Sequence, residues 1–123
     1  MLKIERPAVP GFDTVVMNDR FKCAFITSSP YYAFGEVDHM KRHNNTDEIF
    51  VLLSGNGVLL IMEDGKITEY PMEQGTAYNV CRSTWHYLAV SEDARVFVAE
   101  GNDTDDSNTD VFRFEAPYLL NER

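Results

Sequence analysis

The sequence predicts an all-β chain folded as a small antiparallel sandwich or barrel. Three observations carry this reading. Short β-prone runs recur along the 123 residues, with turn residues between them roughly every eight to twelve positions. No amphipathic helix of three turns can be drawn. The polar and apolar residues of several runs alternate with period two, as a strand between a core and another surface requires.

Taken in order, the expected strands are Thr14–Met17, Phe21–Thr27, Tyr31–Val37, His39–His43, Glu48–Leu53, Gly57–Met62, Lys66–Tyr70, Thr76–Val80, Thr84–Val90, Arg95–Glu100 and Val111–Glu115. Asp64-Gly65, between "VLLIME" and "KITEY", is the strongest hairpin signal, because both residues tolerate positive φ. Ser54-Gly55-Asn56-Gly57 and Ser91-Glu92-Asp93 mark two more reversals. "GNDTDDSNTD", Gly101 to Asp110, reads as a solvated acidic loop; it lacks the glycine and distal glutamate of a calcium loop. The tail "FEAPYLLNER" is expected to turn and pack Tyr118 and Leu119 on the barrel. Residues 1–123 then form a single domain, with a core of about 30–100 and peripheral ends at 1–13 and 116–123.

The formal net charge of −9 argues against nucleic acid or an anionic membrane surface as partner. The N-terminal "MLKIERPAVPGF" has no long apolar stretch, so neither a signal peptide nor a membrane span is expected. Cys23 and Cys81 make no disulfide framework and no CxxC pair. Buried reduced thiols and a cytoplasmic location are the expectation.

Alternation assigns faces. If His39–His43 is extended, His39, Lys41 and His43 share one side. Glu48, Phe50 and Leu52 share another, as do Thr84, His86, Leu88 and Val90. Each polar group is in phase with large apolar residues, the pattern of a polar site set in an apolar barrel cavity. Phe50 and Leu52 are therefore expected beside a ligand, His39 at its rim, and Trp85 in its supporting shell next to His86. The other face of Glu48–Leu53 carries Ile49, Val51 and Leu53, and "VLLIM" is apolar on both sides. Such a face needs a cover. A second copy is the simplest one, so a homodimer is expected; the alternative is the N-terminal segment, with Ile4, Val9 and Phe12.

Gly35 is followed after five residues by Lys41, after one more by His43, after four by Glu48 and after six by Gly55. Gly75 is followed after five by Cys81, after one by Ser83, after two by His86 and after three by Val90. This order and spacing resembles the two motifs of the cupin family. The resemblance covers about Gly35 to Val90. It implies a small antiparallel jelly-roll barrel, often dimeric, with a divalent metal ion (iron, manganese, zinc, nickel or copper) held inside. The matching ligands are His43, Glu48 and His86. Lys41 stands where the family has its first ligand histidine; Cys81, Ser83 and Val90 also depart from the second motif.

A protonated lysine about 4 Å from a divalent ion is repelled by roughly 8 kcal/mol at an effective dielectric of about 20. Lowering its pKa to about 7 costs only about 4.6 kcal/mol. With a metal present, Lys41 must therefore deprotonate or turn away. Without one, Lys41 can pair with Glu48 and aim an ammonium at an anionic or polyhydroxy ligand. A strand bulge would let His39 supply a fourth ligand. Two functions stay open. One is an enzyme on a small polar or anionic metabolite, of isomerase, lyase, decarboxylase or dioxygenase type, in which His86 or Lys41 moves a proton. The other is a non-catalytic sugar or organic-acid binding domain without metal.

Overall fold

β-branched and aromatic residues dominate the apolar runs, and most of the runs become strands. The computed structural model describes residues 1–122. Its strands are β1 (Gly11–Met17), β2 (Phe21–Thr27), β3 (Gly35–His43), β4 (Glu48–Ser54), β5 (Gly57–Glu63), β6 (Lys66–Pro71), β7 (Ala77–Val80), β8 (His86–Val90), β9 (Arg95–Gly101) and β10 (Thr109–Leu120). Two single-turn 3-10 segments, Pro30–Tyr32 and Asp106–Asn108, interrupt them. The strands pair antiparallel into two five-stranded sheets, β1-β2-β9-β4-β7 and β10-β3-β8-β5-β6. This is a jelly-roll sandwich. Among the described residues no helix is long and apolar enough to cross a membrane.

Alternation sorts the apolar residues into two clusters. Ile26, Phe50, Leu52, Leu59, Leu88, Val96 and Val98 meet between the sheets. Val58, Leu60, Tyr87 and Ala89, the odd-phase neighbours on β5 and β8, form a second cluster on the outer side of the second sheet. β10 helps cover it. The ladder between β3 and β10 breaks between Arg113 and Tyr118, where four residues of β10 face Asp38 alone. Phe114 and Tyr118 pack onto the outer cluster, and Leu120 is fully buried there.

Four local expectations are corrected. Tyr31–Val37 is not a strand. Pro30 begins a 3-10 turn closed by Tyr32 N–H donating to Ser29 O at 3.1 Å, and a single strand then runs from Gly35 to His43. The tail does not turn back: residues 118–120 continue the ladder opposite Gly35–Val37, so Leu119 faces solvent. Cys81 is exposed, because it lies in the turn after β7 and not in a strand; Cys23 is half-buried. The N-terminal segment does not form the cover either, since Ile4 and Val9 are exposed and only Phe12 packs on the inner core.

The Asp64-Gly65 hairpin has both residues at positive φ, 50° and 75°, and joins β5 to β6. Gly55 is more demanding. At φ +71° a Cβ would stand 2.7 Å from Ala94 Cα and from Ser91 Oγ, inside the closing turn where Ala94 N–H donates to Ser91 O. Gly55→Ala is expected to lower unfolding free energy by about 2–4 kcal/mol in urea titration. A change below about 0.5 kcal/mol would contradict this packing.

Candidate functional site

A cavity of about 500 Å³ is lined by residues of both sheets. His39, Lys41 and His43 reach it from β3, Glu48 and Phe50 from β4, and His86 and Leu88 from β8. Lys41 and His86 are ladder partners, so the basic side chains of the second sheet stand side by side. Glu48 approaches from the first sheet.

Glu48 Oε1 lies 3.2 Å from His43 Nε2 and 3.2 Å from His86 Nε2. One potential ligand atom from each of the three residues lies within 4.8 Å of the others. Burial alone would raise the Glu48 pKa, but the two imidazole hydrogen bonds and charges outweigh it and hold the carboxyl at about 2. His86 Nδ1 sits 2.9 Å from the Thr84 carbonyl oxygen, which can only accept, so Nδ1 carries a proton. His43 Nδ1 sits 2.9 Å from Thr109 Oγ1.

Lys41 does not pair with Glu48. Its ammonium stands over the Tyr31 ring, 5.0 Å from the centroid, and has no ion pair among the described residues. His39 lines the cavity, but its ring nitrogens are taken by Asp38 Oδ1 at 2.7 Å and Tyr31 Oη at 3.2 Å. It stands outside the three-ligand cluster. The bulge in this ladder lies on β10 and does not bring His39 in.

Two expected ligand contacts lie elsewhere. Leu52 is two residues deeper than Phe50 and is sealed in the inner core. Trp85 precedes His86, so its side chain faces the opposite way. It packs on the outer cluster, with Arg42 4.5 Å from its ring centroid and Phe112 at 5.9 Å.

Several cavity residues escaped the sequence reading. Tyr31 and Tyr32 come from the 3-10 turn, which is pinned by Tyr87 Oη, 2.9 Å from both the Tyr31 and Ala33 carbonyls. Glu100 was legible in principle: it is in phase with Val96 and Val98 on β9 and is the ladder partner of Glu48. It is 7 % exposed. Burial, then the neighbouring charge and hydrogen bond of Glu48, push its pKa up to about 7, although Lys22 and His43 act the other way. Lys22 Nζ is 3.5 Å from Glu100 Oε1. A second buried negative charge beside Glu48 is costly, and of the two carboxyl groups it is Glu100 whose hold on a proton is strengthened.

The sign of the pH effect follows. A glutamate whose folded pKa lies above its unfolded value stabilises the fold at low pH, and that contribution is lost as pH rises from about 4.5 to about 7. Glu100→Gln removes the dependence. In chelator-stripped protein, the melting temperature of Glu100→Gln relative to the parent is therefore expected to climb between pH 5 and pH 8. A difference that stays constant over that window would refute the assignment.

No protein-family model matches the chain, and no curated protein sequence matches it significantly. Solved structures do match. Streptomyces Pac13 with uridine, a variant of a nucleoside dehydratase, superposes with a TM-score of 0.65 at 15 % identity, covering 96 % of this chain and 100 % of that one. KdgF from Halomonas sp. gives 0.58 at 18 %, over 85 % and 91 % of the two chains. The QdtA 3,4-ketoisomerase from Thermoanaerobacterium thermosaccharolyticum, in complex with TDP, gives 0.60 at 11 %, over 72 % and 63 %. A cupin-2 domain protein from Shewanella frigidimarina gives 0.57 at 14 %, over 74 % and 79 %. These likenesses, on the geometry above, show that this chain has the cupin fold.

Proposed function

We propose that the protein takes a small polar or anionic metabolite into the barrel cavity and acts on it as a metal-dependent enzyme of the isomerase, lyase, decarboxylase or dioxygenase type. The observation that carries this reading is the convergence of His43, Glu48 and His86 in a cavity that also holds the unpaired ammonium of Lys41. Two imidazoles and a carboxylate suit iron, manganese, zinc, nickel or copper. The donor chemistry fits: the His86 proton is committed to the Thr84 carbonyl, so in the neutral ring Nε2 presents a lone pair. When bound, such an ion supplies a Lewis acid that polarises a carbonyl or carboxylate.

The chain's own residues do the remaining work. Lys41 offers a point charge to an anionic group, with the Tyr31 ring beneath it. Phe50 and Leu88 form an apolar wall that excludes water. His86, 3.2 Å from Glu48, and Glu100, its ladder partner with a raised pKa, are the groups placed to hold or hand over a proton there. Among the fold neighbours, Pac13 is described with uridine and QdtA with TDP, which supports a polar ligand of similar size.

A second reading, a metal-free sugar or organic-acid binding domain, is favoured by one specific observation. Lys41 occupies the place of the family's first ligand histidine, and a proton on each imidazole Nε2 would satisfy Glu48 without a metal. The two readings separate cleanly. Protein purified without added metal or a histidine tag is expected to carry about one equivalent of a divalent metal by elemental analysis, lost in His43→Ala. Absence of metal, with thermal stabilisation by small acids or sugars that vanishes in Lys41→Ala, would replace the enzyme reading with the second.

We also propose a homodimer through the outer face of the first sheet. Phe25, Phe97, Val51 and Ala77 form one row across β2, β9, β4 and β7, and Cys23, Ala99, Ile49 and Asn79 form the next. Neither row holds a charge, and Ile49 and Leu53 are 38 % and 47 % exposed. Light scattering at micromolar concentration is expected to give a dimer for the parent and a monomer for Val51→Glu. A monomeric parent would end the proposal.

A further inference from the structure

We propose that Thr109 is a positioning residue that keeps the proton of neutral His43 on Nδ1, so that Nε2 turns a lone pair toward Glu48 and His86. The loop of residues 102–108 is thereby part of the site. The inference deepens the metal reading but rests on it only where metal affinity is concerned.

The argument is a count of protons. A threonine hydroxyl has one. Thr109 Oγ1 lies 2.7 Å from the carbonyl oxygen of Asp105, which can only accept, so the hydroxyl proton is spent there. The same oxygen lies 2.9 Å from His43 Nδ1. Having no second proton, it must accept at that contact, and Nδ1–H must donate. In a neutral ring the remaining nitrogen, Nε2, is then bare, and it is the atom 3.2 Å from Glu48 Oε1. His86 reaches the same state by a different route, through a backbone carbonyl. Two bare nitrogens and a carboxylate oxygen converging on one point call for a cation among them.

The Asp105 carbonyl is itself held. Asp105 caps the 3-10 turn: its Oδ1 accepts from Ser107 N–H at 2.8 Å, and its own N–H donates to Asn108 Oδ1 at 3.2 Å. Thr109 begins β10 and is the ladder partner of His43. A continuous path of hydrogen bonds therefore runs from the acidic loop through Thr109 into the cluster. On sequence alone this loop reads as solvated surface; the geometry makes it a support for a ligand histidine.

The test is the two-bond proton–nitrogen NMR correlation of the imidazoles in metal-stripped protein, at a pH where the rings are neutral. The parent is expected to show the Nδ1–H pattern for both His43 and His86. In Thr109→Val the His43 pattern is expected to shift to Nε2–H, because valine offers no acceptor while Glu48 does. Thr109→Ser is expected to restore it, and His86 to stay unchanged throughout. Thr109→Ala serves as the second variant if valine disturbs folding. Zinc affinity by calorimetry is expected to fall about 10- to 100-fold in Thr109→Val and to recover in Thr109→Ser. A His43 that keeps its Nδ1–H pattern in the valine and alanine variants overturns the proposal, as does a zinc affinity that stays within about twofold of the parent. If the parent binds no zinc yet the His43 tautomer shifts as described, the positioning role stands and the metal reading fails.

Discussion

Glu48 is a carboxylate at 5 % exposure, and a charge at that depth costs several kcal/mol when it stands alone. Two imidazoles offset the cost once a proton or a cation lies between their Nε2 atoms and the carboxylate, and neither comes from its own sheet. His43 sits on β3 and His86 on β8 of the second sheet, while Glu48 sits on β4 of the first. The cluster is therefore a polar cross-link between the two layers. It forms only when the sheets stack in register, and it gives the cavity a fixed polar point.

The groups around that point divide by charge. Glu100, one strand away on β9, has its pKa pushed up by burial and by Glu48, so a second buried negative charge beside Glu48 is disfavoured. Lys41, next to His86 in the ladder, directs its ammonium over Tyr31. In that direction the ammonium forms no pair with Glu48 or with any other acid among the described residues. The result is a cavity that joins an acid between two imidazoles to an ammonium over an aromatic ring, inside a protein of net charge −9.

The outer surfaces show how the same alternation is used twice. β5 and β8 are buried on both sides. The inner residues fill the sandwich, and the outer ones are partly roofed by Phe114, Tyr118 and Leu120 of β10. This roof belongs to the chain itself. Among the described residues the first sheet has no such roof over Phe25, Phe97, Val51 and Ile49, and its outer face stays apolar.

The fold class and most strands were legible in the sequence, because period-two alternation and turn residues such as Asp64-Gly65 and Gly55 act locally. The grouping of His43, Glu48 and His86 was legible too, since phase on a strand decides which side chains share a face. Three things were not. The direction of Lys41 depends on Tyr31, which Pro30 places in a turn rather than a strand. The roles of Glu100 and Thr109 arise from ladder partners more than fifty residues away along the chain. The end of the chain was read as peripheral, yet Leu120 is fully buried against β3. Local pattern determined which face each side chain takes; only the stacked sheets decided which distant groups meet, because hydrogen-bond partners and buried charges are set by through-space neighbours that no window of sequence contains.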